Sequence, residues 1–421
     1  MRVIRTYPAA AAIIGAVVFS TGGAGRGASA HAASVQGETE GNVVVLETDL
    51  VADAPNLVDG NGIVHPAFVV DPHLQNPWGI SESSSSPFWV ADNAASVSTL
   101  YRTGGVAPVA IAPLVVSIPA PGHPLQATGA PTGTVFNEDL AAQGFKISGF
   151  DRLGSAATAP ALFLFATEDG TIVGWNPSIN PAGFDPARAG TYGIIAVDNS
   201  ASPTPADGAV YKGLTMATDA TGRTFLYATN FRAGTVEVYD SAFNPATPSS
   251  DAFVDPRLPS GYAPFNVVPS TGVLFVTYAK QDAAKHDDVA GHAHGVVDTF
   301  NLDGTLRGRF AQHGHLNSPW GLVQAPPSFG RFAGDVLIGN FGDGRINAFD
   351  PATGEFLGKV VNTLGQQIVI DGLWALKVGN GGSGGDANAI YFTAGPNGEK
   401  DGLFGSLVRV APGTPCGTPC R

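Results

Sequence analysis

The side chains best suited to chemistry in this sequence stand at the ends of short apolar runs. Asp92 and Asn93 end the run from Phe88, Glu168 and Asp169 the run from Leu162, and Asn230 the run from Phe225. Asn340 and Asp343 follow Val336 to Gly339, and Glu399 follows the run from Ile390. A second set stands where other apolar runs begin: Asn76, Lys212, Asn266, Asn317 and Asp371. Carboxylate and amide oxygens of this kind suit a hard divalent cation, calcium best of all. They also suit a polar small molecule held by hydrogen bonds. Each residue taken alone is explained by its turn, because Asp, Asn and Gly set turn geometry. Taken together, Glu168, Asp169, Asn230, Asn266 and Asp371 are the candidate metal ligands, and Asn76, Lys212, Asn340 and Asp343 the candidate ligand-binding groups.

One loop adds titratable groups. Lys280 to His294 contains His286-Asp287-Asp288 and His292-Ala293-His294, and five of the nine histidines fall between 286 and 315. Long loops on rigid scaffolds often carry function. His286 beside Asp287 has the composition of a proton-transfer pair, and the two are the catalytic candidates. His292 and His294, on an extended segment, would put both rings on one side and suit a transition metal. A solvated loop rich in histidine remains the alternative. Other chemistries lack their signatures: there is no Gly-x-Ser-x-Gly elbow, phosphate-binding glycine loop, His-Glu-x-x-His stretch or EF-hand loop.

The elements that must position these groups come from a weak internal repeat. The clearest unit opens at Ser318-Pro319-Trp320-Gly321-Leu322, continues through Asp335 to Asn340 and Arg345 to Asp350, and closes with Glu355 to Val361. Its opening recurs as Asn76-Pro77-Trp78-Gly79-Ile80. Anchors at Trp78, Thr132, Gly213, Pro264, Trp320 and Trp374 step by 54, 81, 51, 56 and 54 residues, the long step holding an insertion around Asn137 to Pro160. Four short strands at a period near fifty residues are the mark of propeller blades. The expected fold is therefore all-β, a six-bladed β-propeller over residues 42–410. The last unit has three strands, and Asn42 to Leu50 supplies one before the first unit. Pairing them would close the ring and hide two sheet edges. In such a fold the second-to-third strand turns and the inner-strand starts share one face. Trp78, Trp320 and Trp374 recur at one blade position, which favours packing between blades over sugar stacking.

Composition narrows the context. The 421 residues include 55 Gly and 32 Pro, and only 14% are charged. Residues 1–32 read as an export signal: Arg2 and Arg5, the apolar run Ala9 to Phe19, then Ala30-His31-Ala32 as a cleavage site. Their removal takes away three Arg and no acid, so the net charge of −13 becomes −16. That balance argues against nucleic acid as a partner. No later stretch is long and apolar enough to span a bilayer. The expected protein is secreted or extracytoplasmic and monomeric. Cys416 and Cys420 in the tail 411–421 would form a small local disulfide in an exported protein.

Several strings together resemble a family of exported bacterial propeller proteins of uncharacterised function. They include Asn76-Pro77-Trp78-Gly79, Ala166 to Ile172, Tyr211-Lys212-Gly213-Leu214, Ala228 to Gly234, and Tyr262 to Asn266. Tyr278 to Asp282, Lys285 to Gly291, Gly339 to Gly344 and Asp371 to Trp374 complete the set. More distantly the chain is similar to NHL-repeat and lactonase-type propellers, and that resemblance implies a divalent cation at the top of a central channel. No lactonase ligand motif aligns here, so no ligand is transferred.

Three readings of function follow. The first is a metal-assisted hydrolase or lyase acting on a small polar, lactone-like substrate. The second is a propeller that binds a small polar molecule, glycan or protein without turnover. The third is a structural or envelope protein with a plugged channel.

Overall fold

A computed structural model describes residues 41–104 and 108–411. All of these lie in one compact unit. The predicted export signal, residues 1–32, and the cysteine pair lie outside the described residues. Within them the fold is nearly all-β, of the propeller type. Helical structure is confined to two short 3-10 turns and the single turn Pro396–Glu399.

The first four sheets are meanders, as the polar turns between their apolar strands dictate. The first runs Pro77–Ser81, Phe88–Asp92, Val97–Thr103 and Val109–Ile111, with Val116–Ser117 also on the third strand. The second runs Pro131–Phe136, Phe163–Thr167, Thr171–Trp175 and Ile194–Asp198. The predicted insertion is a separate hairpin, Lys146–Phe150 with Ala156–Pro160. The third sheet has three strands, Tyr211–Thr218, Thr224–Asn230 and Thr235–Tyr239, where the repeat predicts four. The fourth runs Tyr262–Ser270, Val273–Lys280, Val296–Asn301 and Leu306–Gln312.

Nine further strands form one sheet, and Leu57–Val58 with Val64–His65 form a separate hairpin. Pro319–Gln324, Val336–Asn340, Ile346–Phe349 and Phe356–Val361 lie on one side of Asn42–Ala52. Leu403–Arg409, Ile390–Ala394 and Leu373–Val378 lie on the other, and Val69–Val70 pairs beside Val51 and Ala52. Strand 42–52 meets Lys359–Val361 in parallel through Asn42–Val44, and meets the last strand antiparallel from Val45 opposite Arg409 to Ala52 opposite Leu403.

The inner strands touch one another closely. A Cβ on Gly79 would lie 2.6 Å from the Thr132 carbonyl oxygen, and one on Gly133 would lie 2.8 Å from the Gly213 carbonyl carbon. A Cβ on Gly213 would lie 2.7 Å from the Asn266 Cα, and one on Gly321 2.6 Å from the Trp374 carbonyl oxygen. Asn266 Nδ2 donates to the Trp320 carbonyl at 2.8 Å, and Thr393 Oγ1 donates to the Trp78 carbonyl at 2.5 Å. Each inner strand thus meets the next, and the last sheet meets the first.

Between these strands sits an aromatic cluster. Trp78 stacks on Trp374 at 3.5 Å, Trp320 meets both edge-on, and Phe265 and Phe341 pack against Trp374. All three tryptophans are buried. They pack on one another, closer than the predicted blade-to-blade contacts, and no ring is left open for a sugar.

A methyl group at Gly133 has only backbone to meet. Gly133→Ala is expected to lower stability by about 1–3 kcal/mol, the range for overpacking. Urea denaturation checks it, and an unchanged midpoint would mean that the strands do not approach as described.

Candidate functional site

Every inner strand breaks register near its start, and the break brings one or two residues out of the ladder. The shifts lie between Pro77 and Ile80, Pro131 and Thr134, Tyr211 and Gly213, Pro264 and Asn266, Pro319 and Gly321, and Leu373 and Leu376. Such irregularities re-aim a side chain. The residues released include Trp78, Thr132, Lys212, Phe265, Trp320 and Trp374. Five of the six are uncharged, and the sixth is a lysine.

Lys212 is 1% exposed. Its Nζ lies 5.0 Å above the Trp78 ring and 5.9 Å from the Phe231 ring, a cation–π setting that a desolvated ammonium favours. It is paired with Glu168 and lies 3.6 Å from Asp287 Oδ1. Trp320 Nε1 donates to the Lys212 carbonyl at 3.3 Å, which ties the lysine backbone to the aromatic cluster. Burial alone would push the ammonium down, but Glu168 and Asp287 outweigh it and hold its pKa above the usual lysine value. Burial would likewise raise Glu168, but Lys212 and His286 hold it below the usual carboxylate range. The pair is ionised.

The groups around it converge from five elements. Glu168 comes from the turn between the second and third strands of the second sheet, and Asn93 Nδ2 donates to its Oε2 at 3.0 Å. Asn76 Nδ2 contacts Asn93 Oδ1 at 3.4 Å and donates to Glu399 Oε2 at 2.9 Å, while Trp374 Nε1 donates to Asn76 Oδ1 at 3.0 Å. The Lys280–His294 loop folds onto this face. The Gln281 and Val289 amides donate to the Gly261 and Lys280 carbonyls, the His286 amide to Asp282 Oδ1, and the Gly291 amide to Asn317 Oδ1. The folded loop sets His286 Nδ1 2.8 Å from Asp287 Oδ1. That contact is the largest influence on His286 and holds its pKa above the usual imidazole value, against the effect of burial.

Glu399 stands on a turn held at positive φ, with Asn397 at 59° and Glu399 at 68°. Glu399 is exposed as a residue, while protein crowds its carboxylate, which accepts from Asn76 Nδ2. Burial and the nearby charge of Glu168 push its pKa up to about 7. Its protonation therefore changes near neutrality.

The sequence candidates divide accordingly. Asn76, Glu168, Lys212, His286 and Asp287 are brought together. The five candidate metal ligands do not converge, because four of them are committed to local backbone. Asp169 accepts from the Ala130 amide at 2.7 Å. Asn230 accepts from the Val210 and Ala233 amides and donates to Glu237. Asn266 bridges Trp320 and its own neighbour Val267. Asp371 accepts from the Gly60 and Asn397 amides. Asn340 and Asp343 bond to each other, to the His315 carbonyl and to Arg345. His294 Nδ1 is turned to the Val289 carbonyl at 2.9 Å, and no metal group of the described residues joins it to His292.

Among the described residues one set here could hold a metal ion: Glu168, His286 and Asp287 offer ligand atoms all within 4.8 Å of one another. Asn93 and Glu399 belong to the turns marked by sequence, but nothing local distinguished them from ordinary turn formers. A separate cavity of about 510 Å³ is lined by the later residues of the inner strands, among them Ile80, Leu214, Met216, Leu322 and Leu376. Its lining also carries polar side chains, among them Ser81, Glu82, Glu138 and Lys377, and includes none of Lys212, Glu168, His286 and Asp287.

Against this geometry stand comparisons with known proteins. The chain is 32% identical over 343 residues to an uncharacterized protein of Acanthamoeba polyphaga mimivirus, covering 80% of this chain and 76% of the relative. A second uncharacterized mimivirus protein is 32% identical over 346 residues, covering 80% and 81%. The chain belongs to this family. These two viral relatives bring no assigned activity. No protein-family model matches the sequence. Among solved structures, Penicillium chrysogenum alpha-L-arabinanase with arabinobiose is similar at TM-score 0.46 and 11% identity, covering 86% of this chain and 98% of that one. The PQQ-bound aldose sugar dehydrogenase of Streptomyces coelicolor gives 0.44 and 13%, covering 79% and 95%. A streptogramin B lyase gives 0.43 and 11%, covering 89% and 100%.

Two outcomes test the electrostatics. Lys212→Met strands a buried Glu168 carboxylate and is expected to cost about 3–5 kcal/mol. Lys212→Met with Glu168→Met should recover much of that loss, and denaturation of both variants checks it. For Glu399, folding raises the pKa from near 4.5 to about 7, so its ionisation penalty appears as pH rises through that window. Glu399→Gln should therefore stabilise the protein at pH above 7 and leave it unchanged below about pH 4.5. Equal stability of the two proteins across that range would refute the shift.

Proposed function

We propose that this family member is a six-bladed propeller enzyme, a hydrolase or lyase acting on a small polar, lactone-like substrate above Lys212. The blade count rests on the sheet order, with strand 42–52 closing the last blade. The observation that carries the activity is a fully buried ammonium placed directly beneath the accessible His286–Asp287 pair.

The roles follow from position. Asp287 orients His286 through Nδ1, which leaves Nε2 as the atom to meet substrate. In lactone hydrolysis His286 takes a proton from water as its oxygen bonds to the carbonyl carbon. The ring C–O bond then breaks, and Glu399, protonated in part near neutral pH, gives a proton to the leaving oxygen. Lys212, itself buried, provides fixed positive charge near the carbonyl oxygen. Asn76 and Asn93 hold Glu399 and Glu168 in place.

A divalent cation, calcium by the resemblance, fits this set poorly. Glu168, His286 and Asp287 could hold one by distance, but Lys212 already neutralises Glu168 and stands beside Asp287. A metal ion there would face an ammonium, so no step is assigned to it. The reading of residues 1–32 as an export signal places the enzyme outside the cytoplasm, and we take it as a monomer. A glycan or other small polar molecule bound without turnover is the second reading, favoured by the exposed carboxylates Asp287 and Glu399 of the same face.

A lactone panel followed by pH-stat, with and without EDTA, tests the proposal. Turnover that survives EDTA is expected, and His286→Ala and Asp287→Asn should each lower kcat by about 100-fold or more. Activity lost in EDTA and restored by calcium would transfer the chemistry to a cation. Saturable binding with no turnover would leave the second reading.

A further inference from the structure

A second group of acids surrounds a buried imidazole away from Lys212. Glu47 and Asp49 alternate on strand 42–52, so their side chains share one side. The hairpin Leu57–Val58 and Val64–His65 brings two more residues to it, Asp59 and His65. His65 Nδ1 lies 3.1 Å from Asp49 Oδ2, and its Nε2 lies 3.5 Å from Asp59 Oδ2. Glu47, Asp49 and His65 offer ligand atoms all within 4.8 Å of one another.

Two independent observations point to an occupant. The side chains of His65, Asp49 and Asp59 are only 6%, 8% and 1% exposed, yet Asp49 Oδ1 and Asp59 Oδ2 have no hydrogen-bond partner. Among the described residues neither Asp49 nor Asp59 pairs with a lysine or arginine. Buried carboxylates are costly unless paired or bound to metal. Asp59 is also fixed in advance. Its Oδ1 accepts from the Asn61 and Ile63 amides at 2.9 and 2.7 Å, which leaves Oδ2 directed at His65.

We propose that Glu47, Asp49 and His65 bind a first-row divalent metal ion, zinc being the probe of choice, with Asp59 facing the other ring nitrogen, and that the ion ties strand 42–52 to the hairpin. One imidazole nitrogen with carboxylate oxygens suits zinc or manganese better than calcium, which prefers oxygen alone. The position gives the ion a structural task. It sits where strand 42–52 shifts register between Asp49 and Val51 against the last strand.

The test uses the full chain, purified without chelator or affinity tag, with metal content measured by mass spectrometry. About one equivalent of metal is expected in the wild type and in His286→Ala, which removes the other candidate group. Asp49→Asn and His65→Gln should lose it, with zinc affinity weakened by more than about 10-fold. If either variant fails to fold, metal-stripped wild type decides: zinc should raise its Tm saturably, and a chelator should reverse the gain. A Tm indifferent to zinc and chelator would overturn the proposal and leave His65 as a buried imidazolium between two carboxylates. Stoichiometric binding that persists in both variants would also overturn it.

Discussion

The residue released at the start of each inner strand has no place in its own ladder, and the neighbouring inner strand is too close to receive it. At Gly213 the next strand comes to within contact of the glycine Cα, so no side chain fits between the strands there. The released side chains turn instead toward the space the strands enclose. Trp78, Phe265, Trp320 and Trp374 fill it and bury one another. Lys212 enters the same space carrying a charge. Once it is there, its neighbours are constrained by the cost of an unpaired buried ammonium. Glu168 must be ionised beside it, and the aromatic faces below must be electron-rich. The loop above then meets a site whose charge is already set, and Asp287 comes to rest against it.

Much of this frame was legible in the sequence, for a definite reason. Apolar runs of strand length, punctuated by Asp, Asn and Gly, recur at a spacing that only a stack of small sheets produces. The anchors at Trp78, Thr132, Trp320 and Trp374 coincide with the released residues. Those at Gly213 and Pro264 stand one residue away from Lys212 and Phe265, because the eye follows glycine and proline while the register follows backbone pairing. That single step concealed the fact that a lysine occupies the place of the tryptophans. The third sheet's missing fourth strand had a signal that the repeat overrode, since residues 241–261 hold four prolines, which strand interiors avoid.

The site was only half legible, and the division is physical. Asp169, Asn230, Asn266 and Asp371 look like ligands because they are acids and amides where strands begin or end. Their side-chain oxygens accept from backbone amides, and oxygens committed to that task cannot also converge on an ion. Glu168 escaped because the turn that holds it is closed by Thr167 and Gly170, whose hydrogen bonds leave the Glu168 carboxylate unclaimed. His286 and Asp287 were found by their proximity in sequence. No feature of the loop's own sequence shows which way it folds, since the contacts that aim it are made with Asn317 and Gly261.

The same logic separates the two acidic clusters. Around Lys212 the protein supplies its own cation, so carboxylates from distant elements can gather without outside help, and their charges are available to a substrate. Around His65 it supplies only an imidazole against Asp49 and Asp59, and two carboxylate oxygens remain without a partner in a place water does not reach. A chain that carries a lysine to one buried acid and none to the other treats the two sites differently. The first is complete as folded, whereas the second lacks positive charge at the strand that joins the beginning of the fold to its end. A divalent ion would supply that charge and would bind the hairpin to strand 42–52 in the same step, giving a long β-sheet assembly a fastening where its two chain ends meet.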